Sequence, residues 1–229
     1  MALRSVADGV WAVDFEFKLL GVQIGLRTTV LGTDDGGVVV LAPAKLEPAD
    51  LDAIRALGPV RAVIAPNAFH HLFLRRAAEA FPDARVLAAA GVAEKQPELR
   101  IHATLGTPEA ATLGGFGEAI EAVTLDGARK ASETVFFHRP SRTLVATDSV
   151  FHIVKSEDLW TRTFLRMNAA YGAPAASRIF RSSIDDRKRF RASIDRALEW
   201  DTERIHMAHG ELIETGGRDV LARTYAWLK

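Results

Sequence analysis

The chain has 229 residues, 48% of them hydrophobic and 25% charged, and a globular chain of this length buries roughly 70% of the surface that its unfolded state exposes. It contains no cysteine, which excludes a disulfide framework, an iron–sulfur cluster, a thiolate zinc site and a cysteine nucleophile; any metal must be held by histidines and carboxylates. Lysine plus arginine and aspartate plus glutamate balance at 29 each, so no overall attraction for nucleic acid or an anionic membrane exists, and a small-molecule substrate is the expected partner.

The first residues, Met1 to Gly9, lack an apolar core of signal-peptide length, and no later run reaches the eighteen or so apolar residues of a membrane span. A cytoplasmic protein of one domain over residues 1–229 is expected. Val10 to Phe17 and Val22 to Leu31 are rich in β-formers, and Asp34-Asp35-Gly36-Gly37 supplies a turn into Val38 to Leu41, so the chain opens as a β-meander. Glu47-Pro48-Ala49-Asp50 starts a helix carrying Leu51, Ile54 and Leu57 on one face, and Gly58-Pro59 stops it. Val60 to Ala65 is a short buried strand, His71 to Ala80 a helix, Arg85 to Ala90 a strand, and Gly91 to Leu99 a short helix and connection.

Four glycines and a proline make Gly106 to Gly117 read as a loop, and Gly114-Gly115-Phe116-Gly117 lacks the strand-to-helix setting of a dinucleotide site. Ala119 to Leu125, Thr134 to Phe137 and Arg142 to Ala146 form a second set of strands, the last two joined by the turn Arg139-Pro140-Ser141. Ser149 to Ala176 gives no clear element. Ser182 or Ser183 caps a long helix with Phe190, Ile194, Ala197 and Leu198 on one face; its arginines alternate with Asp185, Asp186 and Asp195, as on a solvated surface. Glu203 to Met207 is a strand, and Asp219 to Leu228 a closing amphipathic helix.

Three apolar strands run into groups that bind metals: Ile64-Ala65-Pro66-Asn67-Ala68-Phe69-His70-His71, Leu144-Val145-Ala146-Thr147-Asp148, and Ile205-His206-Met207-Ala208-His209-Gly210. Loops at the carboxyl ends of neighbouring strands converge, so His70, His71, Asp148 and His209 are the candidate ligands. Asn67 shares the first loop and is read as a substrate contact or a brace for the loop. His152, four residues after Asp148, is read as lining the cleft. His102 and His138 are weaker candidates, and His206 alternates with Ile205 and Met207 and so faces the opposite way.

The order of these fragments resembles the metallo-β-lactamase superfamily: a meander, a strand ending in His-x-His-x-Asp-His, a later strand ending in Gly-Asp, and a last strand ending in Gly-His-Gly. The resemblance implies an α/β fold, the αββα four-layer sandwich, with two mixed sheets and helices outside. Setting His71 on the motif's final His places His70 on its Asp, Ala68 on its second His and Pro66 on its first. The superfamily's further His, upstream of the Asp, has no counterpart between His102 and His138; Asp126 and Glu133 are unaligned carboxylates nearby.

By that transfer one metal pocket of the superfamily is lost and the other keeps His70, His71, Asp148 and His209. The implied cofactor is one divalent metal, zinc first, with iron or manganese as alternatives. His70 takes the place of the motif's Asp in orienting the nucleophile, with Asp148 as the other candidate base. Three functions stay open: a mononuclear metal-dependent hydrolase of a small ester, lactone, amide or thioester; a non-catalytic binding protein without a cofactor; and an iron-dependent redox protein.

Overall fold

In the computed structural model residues 3–228 are described; of the amino-terminal segment read above, Met1 and Ala2 lie outside the described residues, as does Lys229. The opening meander is β1 (Arg4–Ala7), β2 (Val10–Phe15), a small hairpin of β3 (Lys18–Leu19) and β4 (Val22–Gln23), then β5 (Leu26–Gly32) and β6 (Val38–Leu41). The long strand expected from Val22 is therefore broken. Gly25 adopts φ +62°, and both Ile24 N and Gly25 N donate to the carbonyl of Phe17, which folds the hairpin out of the sheet.

Helix α1 (Pro48–Leu57) begins where Asp50 Oδ2 accepts the Glu47 backbone N–H at 3.0 Å, with Pro48 in its first turn. Then come β7 (Val60–Ala65), α2 (Leu74–Ala80), β8 (Arg85–Ala88), α3 (Val92–Lys95) and β9 (Ala103–Thr104). The stretch read as a loop contains α4 (Pro108–Gly114): Thr107 accepts the Ala110 N–H, Pro108 occupies the first turn, and Gly115 closes the helix at φ +63°. Glycines that suggested a loop are in part the helix's own stop signal.

The second half carries β10 (Ile120–Thr124), β11 (Thr134–His138), β12 (Thr143–Ala146), α5 (Leu159–Met167), α6 (Arg178–Ser182), α7 (Arg187–Ala197), β13 (Arg204–Met207) and α8 (Gly217–Thr224). The long helix expected from Ser182 or Ser183 starts only at Arg187, and α6 ends at Ser182. The N–H groups of Asp185 and Asp186 turn outward to the carbonyl of Gly127, and Asp186, accepting from Arg189 N at 3.0 Å, caps α7. In the stretch left unassigned, Asp158 caps α5 by accepting from Thr161 N.

Seven strands form one sheet in the order β1-β2-β5-β6-β7-β8-β9, antiparallel as far as β6 and parallel beyond; four form the other, β10-β11-β12-β13, with only the last pair parallel. Alternation along the strands of the second sheet divides its side chains between two layers. Ile120, Phe136 and Val145 pack with the first sheet, whereas Phe137, Leu144, Ile205 and Met207 pack with Phe190, Ile194 and Leu221 of α7 and α8. This is the expected four-layer arrangement, helices outside and two mixed sheets face to face. Among the described residues no helix is long and apolar enough to cross a membrane.

Candidate metal centre

Strand β7 lies inside the first sheet, β12 and the edge strand β13 form the parallel pair of the second, and all three release the chain at one end of the sandwich. After β7 the loop is tied to the second sheet, Ala68 N donating to the Ala131 carbonyl and Thr134 N to that of Pro66, both at 2.8 Å. Asn67 then folds the loop back on itself: its Oδ1 accepts the N–H groups of Phe69 and His70, each at 2.9 Å. Its Nδ2 donates to Thr147 Oγ1 at 2.9 Å and to Asp148 Oδ2 at 2.6 Å, which joins the first loop to the second.

The second loop is wound around a buried carboxylate. Glu133 accepts from the backbone N–H groups of Thr147, Asp148 and Ser149 at 2.8–2.9 Å and from Ser149 Oγ at 2.6 Å, with Asn67 Nδ2 at 3.4 Å. Burial, and then the neighbouring charge of Asp148, push the Glu133 pKa up. The groups around its two oxygens nevertheless all donate, so the ionised form is the one this cage solvates.

The third loop places His209 by its ring. Nδ1 lies 2.8 Å from the carbonyl of Gly25, so Nδ1 carries the hydrogen and the Nε2 lone pair faces inward; Phe151 stacks on the ring at 5.1 Å and 6°. Gly210, at φ +90°, packs so tightly that an added Cβ would collide with the His152 carbonyl.

His70 Nε2 stands 3.3 Å from Asp148 Oδ2, and His209 Nε2 stands 3.4 Å from Asp148 Oδ1. The side chains of His70, Asp148 and His209 are 6%, 15% and 3% exposed. Burial raises the Asp148 pKa, but the two histidine rings beside it, His70 first, outweigh it and hold the carboxyl well below the ordinary range. These three residues offer ligand atoms all within 4.8 Å of one another. Zinc ligands at about 2.0–2.1 Å in a tetrahedron are roughly 3.3–3.4 Å apart; the two Asp–His separations are of that size, each to a different oxygen of Asp148, and the cluster would hold one small divalent ion.

Three sequence-derived roles need correction. His71 stands outside the cluster: its Nδ1 meets Gln96 Nε2 at 3.2 Å, and burial, then Lys95 and His70, lower its pKa. Adjacent side chains on this turn diverge, and the turn spends its inward position on His70. Asn67 is fully buried with its amide consumed by the two loops, so it braces the site and is out of reach of a substrate. His152 pairs through its backbone with Gly210 and turns its Nδ1 to the Glu211 carbonyl, 3.1 Å away, outside the cleft lining. The caging role of Glu133 and the Gly25 anchor had no local signal, because both partners lie far away in sequence.

The cluster forms the floor of a cavity of about 100 Å³, whose walls are Phe17, Leu19, Ile24, Leu26, Pro43, Phe69, Leu72 and Phe73. Phe73 meets Phe15 and Phe17 edge-on, at 5.8 and 6.4 Å between ring centres. A wider, open cleft of about 740 Å³, lined by Arg55, Arg61 and Arg85, lies at the start of β7 and β8, at the other end of the strands.

Among solved structures the chain is similar to a metallo-beta-lactamase from Pontibacter korlensis, with 13% identity and a TM-score of 0.63, over 99% of this chain and 97% of that one. It is similar to a putative diflavin flavoprotein A 5 fragment from Nostoc sp. PCC 7120, with 11% identity and a TM-score of 0.65, over 99% and 94%. The metal-soaked Flv1 flavodiiron core from Synechocystis sp. PCC6803 matches with 11% identity and a TM-score of 0.63, over 99% of this chain and 60% of that one. At these identities the likeness establishes the fold, which is of metallo-β-lactamase type. No curated protein matches the sequence. Residues 7–162 match the family model described as "Domain of unknown function (DUF4336)", and the chain belongs to that family.

Proposed function

We propose that this protein is a metal-dependent hydrolase with one divalent ion held by His70, Asp148 and His209, acting in the cytoplasm on a small ester, lactone, amide or thioester. The observation that carries the reading is the cluster itself, one ligand atom each from His70, Asp148 and His209 within 4.8 Å of one another, on three loops that are each braced from behind. When bound, such an ion would act as a Lewis acid towards a carbonyl oxygen and bring the pKa of a coordinated water towards neutrality.

The rest of the work falls to the chain itself. The Gly25 carbonyl holds the His209 Nδ1 hydrogen and so presents Nε2 to the cavity. Asn67 holds Asp148 Oδ2 at 2.6 Å, which leaves Oδ1 as the oxygen less engaged by neighbours and the candidate to take a proton from the attacking water. Phe151 covers one face of His209 and keeps water from it. The Phe69 and His70 N–H groups are engaged by Asn67 Oδ1, so this loop supplies neither of them to an oxyanion.

A second reading, an iron-dependent redox centre, draws on the likeness to the flavodiiron core. Elemental mass spectrometry on protein purified without chelator, beside Asp148→Ala and His209→Ala, tests both. About one zinc or manganese per chain, lost in each variant, supports the hydrolase; iron redirects the search to oxygen chemistry. Protein that takes up none of the three metals, even when they are added, leaves only a binding role on this fold.

A further inference from the structure

Eight of the eleven residues lining the cavity over His70, Asp148 and His209 are apolar; the other three are the cluster itself. Among the described residues the lining contains no lysine, arginine, serine, threonine, asparagine or glutamine. Lys95, the cation beside Phe69, donates to the Ala68 carbonyl at 2.7 Å and lies over the Phe69 ring, outside the lining. Arg27 donates to the carbonyls of Met207 and Gly210 and pairs with Asp14, again outside. Away from the cluster, an anionic substrate group, carboxylate or phosphate, would meet no counter-charge in this wall.

The apolar lining also continues outward. Leu19, Phe69 and Leu72 belong to the cavity yet are 52%, 47% and 57% exposed, so three large side chains at one mouth face water. The enclosed volume, about 100 Å³, is below the roughly 300–1,000 Å³ of ordinary ligand pockets. It would enclose only the end of a ligand nearest the cluster, and the remainder would lie along those three side chains.

We propose that the site takes an uncharged substrate with an unbranched apolar chain, its polar reacting end at Asp148 and its chain passing between Leu19, Phe69 and Leu72. The reacting end rests on the hydrolase reading; the chain-binding wall does not. Calorimetric titration with neutral alkan-2-ones of four to ten carbons reads the wall without turnover. Affinity should rise about two- to fourfold per methylene while the chain is being buried. Leu72→Asp, and separately Leu19→Ser, should flatten that series and weaken the longest ketone about tenfold, with unchanged melting temperatures because both side chains are half exposed. Leu159→Asp, an exposed position outside the lining, should leave the series intact.

A flat series in the unaltered protein, or one indifferent to both variants, overturns the proposal, as does a dimer in gel filtration that Leu72→Asp dissolves. Metal-loaded protein with p-nitrophenyl esters from acetate to octanoate separates the two readings. Chain-dependent binding without hydrolysis of any ester keeps the wall and counts against the hydrolase. Hydrolysis indifferent to chain length, with a flat ketone series, keeps the hydrolase and discards the wall.

Discussion

Two carboxylates and two histidines of the second sheet and its loops occupy opposite regions: the cavity floor and the packed layer behind it. Asp148 and His209 face the cavity and each other; Glu133 and His206 are turned away from it. Glu133 is closed in by donors, and among the described residues His206 has no hydrogen-bond partner on either ring nitrogen. All four are largely or wholly buried, so burial does not distinguish ligand from scaffold. What distinguishes them is an inward lone pair: Asp148 Oδ1 and His209 Nε2 each have one aimed at shared space, and the other two residues have none.

Breaking the rear layer should have the largest effect. Glu133→Ala leaves three backbone N–H groups and a serine hydroxyl without an acceptor, and should cost about 3–5 kcal/mol of stability. A denaturant midpoint close to that of the unaltered protein would remove Glu133 from this role. Asn67→Ala releases Asp148 Oδ2 and should weaken zinc binding about 10–100-fold, as loss of a partner behind a ligand does. Competition with a chelating dye measures it, and an unchanged affinity would show that the floor needs no brace.

The histidines sharpen the comparison through pH. Burial, then the charges of Arg27 and Arg4, push the His206 pKa down from 6.5 to about 3. The unfolded chain therefore takes up the proton first. Stability from this residue is present above pH 6.5 and is lost as pH falls towards 3, on the order of 1.4 kcal/mol per pH unit. His206→Leu should raise the melting temperature and flatten its decline between pH 6.5 and 4; an identical decline would place the acid sensitivity elsewhere. The smallest effect is expected from His71→Ala, which should leave metal content at the level of the unaltered protein because that side chain meets Gln96. Loss of the ion in this variant would return His71 to the ligand set.

Much of the architecture was legible because local chemistry repeats it. The strand leading to Ala65, the start of α1 at Pro48 and Asp50, and the strands leading to Asp148 and His209 all follow from short apolar runs and the residues that end them. Elements were missed where one local signal had two meanings. Glycines 114 and 115 suggested a loop and instead end α4, and the serines before α7 gave way to Asp186 because Gly127 draws two N–H groups out of the helix.

The sequence by itself determined that any metal must rest on histidine and carboxylate, and that His70, Asp148 and His209 stand at the ends of strands, because composition and apolar periodicity are properties of the chain alone. Only the tertiary structure decided that His70 rather than His71 joins the cluster, that Asn67 braces instead of binding, and that Glu133 organises the Asp148 loop. The physical reason is range. Side-chain direction on a turn, and the bracing of a loop or a ring from behind, depend on partners such as Gln96, Thr147 and Gly25 that lie 25, 80 and 184 residues away from the groups they meet.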